Sequence, residues 1–182
     1  MHALTDQPLS VALGGSIAYF GIDNGILAYD LSDPEIPIHV GTFALSGVER
    51  IFTSGDEMFI SNGVGGSSVS IVDSSDPSSM SALSTVTHPV GARARDIVRG
   101  GDLLFIGVDT GNVYVYDISE LGSPVLLNTL NYSDPVYGIA LNGVRLFAAT
   151  SGGGAFITDI SDIMNPSVIG SLGTDDSTGV RV

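Results

Sequence analysis

The sequence has no cysteine, no tryptophan and no lysine, so its six basic residues are all arginine. Without cysteine there is neither a disulfide framework nor a thiolate metal site. Twenty acidic residues, sixteen of them aspartate, outweigh the six arginines and give a net charge of −14. Such a field repels phosphate backbones and anionic bilayers, so no nucleic-acid or membrane-surface partner is expected. Long apolar runs are also missing. The longest, such as Leu103 to Val108, are strand-sized and broken by Gly or charge, which excludes a membrane-spanning helix. The opening MHALTDQPLS has neither the basic region nor the apolar stretch of a signal peptide. The chain is therefore either cytosolic or exported by a signal that this sequence does not contain. No window shows useful helical periodicity, and 24 glycines work against helices.

What is present is 43% hydrophobic residues over 182 positions, enough for a globular core. Those residues recur in a punctuated pattern: GILAYDLSDP at 25 to 34, SVSIVDSSDP at 68 to 77, NVYVYDISELGSP at 112 to 124 and AFITDISDIMNP at 155 to 166. The shared Asp falls at 30, 73, 117 and 159, at intervals of 43, 44 and 42 residues. A period of about 40 to 45 residues is the signature of four-stranded propeller blades.

Aligned on that Asp, each copy reads as four short strands separated by Gly, Asn, Asp and Pro. Strand A covers Leu9 to Leu13, Val48 to Thr53, Arg95 to Arg99 and Val136 to Leu141; strand B covers Ser16 to Ile22, Glu57 to Ser61, Leu103 to Val108 and Arg145 to Thr150. The A-to-B turns are placed at Gly14-Gly15, Gly55-Asp56, Gly100-Gly101 and Asn142-Gly143, all able to supply positive φ. Strand C carries the Asp, and strand D follows the Pro at Ile38 to Leu45, Ala82 to Thr87, Val125 to Leu130 and Val168 to Leu172. Strands B and C are apolar on both faces, as in LLFIGV and VYVYDI, and a strand of that kind needs sheets stacked on both sides of it. The fold class expected is an all-β propeller. Its four blades run at about 9–45, 46–89, 90–132 and 133–173, after an N-terminal extension at 1–8.

Residues 174–182 end in GVRV, which aligns with VERI, ARDI and VYGI at the start of strand A. They read as the start of a fifth blade or as a closing tail, and the chain as a fragment of a larger propeller.

Asp30, Asp73, Asp117 and Asp159 stand where a carboxylate can accept backbone N–H groups from the turn ahead, and the following Pro delivers the chain to strand D. A structural turn role is the reading for these four residues. The alternative is Ca²⁺ coordination by the pairs Asp30 with Asp33 and Asp73 with Asp76.

At ILAYDLSDP, VSIVDSSDP, VYVYDIS and FITDISD the chain resembles the LVIVD-repeat family, a branch of the YVTN/WD-like propellers, over about residues 9 to 182. The third copy departs from the motif, with Glu120-Leu121-Gly122-Ser123 at the Asp-Pro step. The resemblance implies a repeat architecture, often secreted or surface-attached in microbes, and no catalytic residues.

No phosphate loop, metalloprotease pair or nucleophile elbow occurs, and the Gly-rich GVGGSS and SGGGAF sit between strands B and C rather than at strand-to-helix turns. His2, His39 and His88 are dispersed. One constellation remains. Where strand A begins, at the end bearing the D-to-A and B-to-C loops, lie Glu49 and Arg50, then Arg93, Arg95 and Asp96, then Tyr137. Arginine binds carboxylate or phosphate in a bidentate manner, so a small anion or an acidic side chain of a partner fits this mouth. The competing reading pairs these arginines with neighbouring carboxylates such as Glu49 and Asp96.

These residues point to a non-catalytic scaffold that binds a protein or glycan partner there, extracellular or on the cell surface, without a cofactor. A Ca²⁺-dependent lactonase or hydrolase-like propeller is the alternative. A salt-adapted spacer domain is a third reading.

Overall fold

The computed structural model describes residues 7–62, 67–89 and 91–173. The first sheet joins β1 (Ser10–Gly14), β2 (Ile17–Ile22), β3 (Gly25–Asp30) and β4 (Ile38–Ala44), and the second joins β5 (Arg50–Ser54), β6 (Glu57–Asn62), β7 (Ser68–Asp73) and β8 (Ser81–Thr87). The third holds β9 (Ala94–Gly100), β10 (Leu103–Val108), β11 (Asn112–Asp117) and β12 (Val125–Asn131), and the fourth β13 (Val136–Asn142), β14 (Arg145–Thr150), β15 (Gly154–Asp159) and β16 (Ser167–Leu172). Every sheet is an antiparallel meander in chain order, and no helix occurs among the described residues. The chain is thus all-β, with four propeller blades. The first two blades form one compact unit and the last two another. Residues 1–6, 63–66, 90 and 174–182, with His2, most of the GVGGSS loop and the GVRV segment, lie outside the described residues.

The tight turns between the first two strands of each blade differ in frame from the sequence reading. The registers close at Gly14 with Ile17, Ser54 with Glu57, Gly100 with Leu103 and Asn142 with Arg145. The central pairs are therefore Gly15-Ser16, Gly55-Asp56, Gly101-Asp102 and Gly143-Val144, one residue later than expected in three blades. In each pair only the glycine has positive φ, at 60°, 64°, 62° and 57°. A left-handed first position followed by an ordinary second one is the II′ pattern, which matches strand twist and uses glycine first. A second feature was absent from the sequence reading. Every third-to-fourth strand pairing carries a bulge, leaving Val40, Leu83, Leu127 and Ile169 as the extra residues.

The apolar second and third strands are buried as their composition demands. In the first unit Tyr19, Ile26 and Ala28 on the front of blade one meet Val48, Ile51, Met58, Ile60 and Val72 on the back of blade two. In the second unit Phe105, Val113, Val115 and Leu130 meet Val136, Ile139, Leu146, Ala148 and Ile160 in the same way. Each fully buried aliphatic side chain is worth about 1.5–3 kcal/mol, so these two joints hold much of the core energy.

The joints share one construction. Gly21 and Gly107 occupy equivalent positions on β2 and β10; a Cβ on Gly21 would lie 2.7 Å from Val48, and one on Gly107 3.0 Å from Val136. At the inner strands, Ser10 Oγ accepts the Ile51 amide at 3.1 Å, and Asp96 Oδ2 accepts the equivalent Ile139 amide at 2.9 Å. At the outer strands, Gly41 lies so close to the Pro77 carbonyl that a Cβ would overlap it. Asn128, its counterpart on β12, instead donates its side-chain amide to the Ile163 carbonyl at 2.7 Å. Small size in one joint and a hydrogen bond in the other meet the same backbone carbonyl position.

The recurring aspartates close the turns between the third and fourth strands. Asp30, Asp73, Asp117 and Asp159 accept the amides of Ser32, Ser75, Ser119 and Ser161 at 2.8, 2.9, 2.8 and 2.9 Å. One step on, Asp33, Asp76 and Asp162 accept the amides of Glu35, Ser78 and Met164. Glu120 stands at that step in blade three, and the turn closes there too, through Ser123 N to Glu120 O at 2.9 Å. The serine hydroxyl and then the serine amide hold the Asp30 and Asp73 carboxyls below the ordinary range; for Asp117 and Asp159 the amide leads.

Two outcomes follow for stability. Gly41→Ala should cost about 2 kcal/mol or more because its methyl group meets backbone, whereas Gly122→Ala, with nothing within 4 Å, should stay within about 0.5 kcal/mol. Urea unfolding midpoints compare the two, and equal midpoints would contradict the close outer-strand approach. For the turns, a depressed folded pKa stabilises the protein above the unfolded value of about 3.9, and that contribution disappears as pH falls through the folded value. Asp73→Asn should therefore melt below wild type near pH 7, with the gap closing as pH is lowered toward about 3. A gap that does not change with pH, followed by circular dichroism, would show that the charge of Asp73 plays no part.

Candidate binding surface

The arginine-bearing end of the second unit is organised by Asp109, in the loop between β10 and β11. Its amide donates to the Arg93 carbonyl at 3.1 Å and its Oδ1 accepts the Arg93 amide at 2.8 Å. These reciprocal bonds continue the β9–β10 ladder past its last strand residues. The other carboxylate oxygen, Oδ2, holds the Arg95 guanidinium at 3.2 Å. On its second side the guanidinium carbon lies 5.5 Å from the centre of the Tyr137 ring, on β13, in a cation–π arrangement. Arg95 is thereby fixed between a carboxylate and a ring face. It is half-buried, and its Nε is buried without a hydrogen-bond partner among the described residues. Arg93 is exposed two residues earlier.

Asp96 belongs to the joint between blades three and four. Its Oδ2 accepts the Ile139 amide and its Oδ1 the Ile97 amide at 3.0 Å. The sequence reading named Glu49 and Asp96 as the carboxylates neutralising the arginines; for Arg95 the ion-pair partner is Asp109. A bulge in β9, with Arg95 the extra residue opposite the Gly107–Val108 step of β10, sets Arg95 beside this loop. The signal in the sequence was the Asp109-Thr110-Gly111 turn, with Gly111 at φ 87°, but its proximity to Arg95 depends on that bulge.

Arg93, Arg95, Asp96 and Tyr137 thus come together in the second unit. Glu49 and Arg50 belong to the first. The Glu49 amide donates to the Ser61 carbonyl at 2.9 Å, and Arg50 pairs with Ser61 at the start of β5, with its side chain exposed. By register Glu49, Arg95 and Tyr137 are equivalent, as are Arg50, Asp96 and Gly138.

The carboxylate pairs considered for Ca²⁺ sit in the turns described above, where Asp30, Asp33, Asp73 and Asp76 each direct an Oδ1 at local amides. No group of three or more His, Cys, Asp or Glu able to hold a metal ion occurs among the described residues. His39 stacks edge-on against Tyr29 at 5.2 Å and meets Thr42 Oγ1 at 3.1 Å, while His88 is buried at the end of β8. In the SGGGAF loop, the Thr150 hydroxyl donates to the Gly154 carbonyl and accepts the Gly153 amide, closing a strand-to-strand hairpin. No helix among the described residues is long and apolar enough to cross a membrane.

The LVIVD repeat family model matches residues 50–88 and 91–132, which contain blades two and three. No curated protein matches the sequence. Among solved structures, a protein from Lactobacillus plantarum superposes with a TM-score of 0.78 at 16% identity, covering 94% of this chain and 57% of its own. The computationally designed Ika8 protein superposes with a TM-score of 0.73 at 13% identity, covering 94% of this chain and 51% of its own. The chain spans little more than half the length of either, and at these identities they speak for the fold alone. Four antiparallel blades, the repeated strand ending in Asp and the family match together show a β-propeller fold whose second and third blades are LVIVD repeats.

Proposed function

We propose that the protein is a non-catalytic propeller scaffold that binds a carboxylate-bearing partner, an acidic protein segment or a uronic-acid glycan, through the end that carries Arg93 and Arg95. The reading includes an extracellular or cell-surface location, supported by what the repeat family's resemblance implies, and it requires no cofactor. The observation that carries it is the state of Arg95. The guanidinium is held between Asp109 and the Tyr137 ring, so its orientation costs little on binding. Guanidinium offers five N–H donors in a fixed fork, and Asp109 takes one of them at the described distance. Arg93, exposed two residues earlier, adds a second cation beside it.

The net charge of −14 does not defeat such binding. At physiological ionic strength distant charges are screened beyond about 8 Å, so a partner in contact responds mainly to the local arginines. The experiment is an array of acidic peptides and uronic-acid oligosaccharides probed with wild type, Arg93→Ala and Arg95→Ala. Wild type should bind at least one class, and each variant should bind it about tenfold or more weakly, as expected for loss of a charge-assisted contact. Binding of neither class, or binding indifferent to both substitutions, would refute the reading.

A further inference from the structure

The two joints between blades share a backbone plan, but at one place their side chains differ in kind. In the second unit, between the end of β12 and strands β15 and β16, lies a pocket of about 200 Å³ lined by Leu130, Tyr132, Thr158, Pro166 and Val168, with Thr129 beside them. By register Leu130, Tyr132, Thr158 and Pro166 correspond to Phe43, Leu45, Val72 and Met80 in the first unit. There all four residues are apolar and belong to or pack against one core cluster. In the second unit two of the four are smaller, Leu130 for Phe43 and Pro166 for Met80. The other two carry hydroxyls, Tyr132 for Leu45 and Thr158 for Val72. Space and polar groups are thus introduced together, at one site, where the repeat itself asks for neither.

Tyr132 and Thr158 are 6% and 1% exposed, and their hydroxyls lie 2.7 Å apart. Two hydroxyls bring two protons, and a single mutual hydrogen bond uses one of them. Neither hydroxyl makes another hydrogen bond among the described residues. One proton and several lone pairs are therefore left over at a buried position, where an unmet donor is costly. Burial pushes the Tyr132 hydroxyl above its ordinary pKa, so the pair stays neutral and keeps both protons at physiological pH. The Tyr132 ring rests against Phe156 with centres 5.4 Å apart, which fixes the hydroxyl before any ligand arrives. Thr129 and Val168 are exposed, so the pocket runs from the surface inward to the hydroxyl pair.

We propose that this pocket binds one neutral pyranose ring, free or at the end of a glycan. Drug-sized sites run to about 300–1,000 Å³, so a pocket of this volume takes a single ring. A sugar hydroxyl both donates and accepts, which is what a hydroxyl pair with one spare proton and open lone pairs can use. The C–H face of the ring packs on Leu130, Pro166 and Val168. No charged side chain lines the pocket, so a carboxylate or phosphate would give up hydration without meeting a cation. A purely apolar ligand would leave the spare proton unmet. The site shares no residue with the arginine surface, and the two proposals stand or fall separately.

An amide NMR titration of the 182-residue protein with methyl glucopyranoside, methyl galactopyranoside and methyl mannopyranoside tests this. At least one probe should give saturable shifts centred on Tyr132, Thr158 and Val168, with a Kd of about millimolar order for so small a ligand. Thr158→Val removes one hydroxyl, installs the residue that the first unit has there, and should weaken binding about tenfold. Pro166→Met fills the space with the side chain of Met80 and should abolish the shifts. Circular dichroism melts confirm that both variants are folded, and Arg95→Ala should leave the titration unchanged. The corresponding disaccharides separate the two sources: equal affinity assigns the pocket to a single ring, and a gain assigns it to a chain end. No saturable shift with any probe, shifts centred elsewhere, or a titration indifferent to both Thr158→Val and Pro166→Met overturns the proposal.

Discussion

A sheet whose middle strands are apolar on both faces cannot bury itself. A four-stranded blade with Phe59, Ile60, Ile71 and Val72 in its interior strands must lie between two other layers, or expose one side of them. Every other feature of this protein follows from how the blades approach. In blades one and three the second strand carries a glycine at one register position, Gly21 and Gly107, because the next blade's inner strand comes within about 3 Å of where a Cβ would stand. The knob that fills this space is an isoleucine in both observed joints. Its backbone amide is then left facing the preceding blade, which answers it with a serine hydroxyl in one case and an aspartate in the other. An apolar seam and a polar latch are consequently adjacent, and the latch satisfies an amide that the packing would otherwise strand.

This arrangement explains why the aspartates fall into two groups with separate duties. Those at the end of the third strand lie at the surface and organise turns through hydrogen bonds to the residues just ahead. Their lowered pKa values reflect those local donors rather than burial, as the leading role of serine hydroxyls and amides shows. Asp96 and Asp109 act across longer distances in sequence. Asp96 joins two blades, and Asp109 ties a loop to an inner strand while also fixing Arg95. The acid-rich composition is thus partly structural, with several carboxylates committed to backbone donors.

Much of this was legible in the repeat. The period and the apolar strands were sufficient for four blades, because each repeat carries its own punctuation and the copies correct one another. The turn role of the four strand-C aspartates also has its donors in the local sequence, since Ser stands two residues after each. Other features depend on register. The two-residue turns were displaced by one position in three blades, because adjacent glycines such as Gly14-Gly15 and Gly100-Gly101 fit either frame and only the ladder chooses. The outer-strand bulges were invisible, since Val40, Leu83, Leu127 and Ile169 look like ordinary strand residues. Asp109 was missed because a bulge in β9 at Arg95, not its neighbours in sequence, brings the two together.

The same distinction separates the Arg95 surface from the interior of the blades. The Arg95 surface is built from residues that vary between blades: its counterparts are Glu49 and Tyr137, so a cation occupies this register in blade three but not in blades two or four. A feature that the repeat does not require is free to be specific to a partner. The interior strands are the reverse case, apolar in every blade because the repeat requires it. A partner at the arginine end must supply acceptors that match two guanidinium groups.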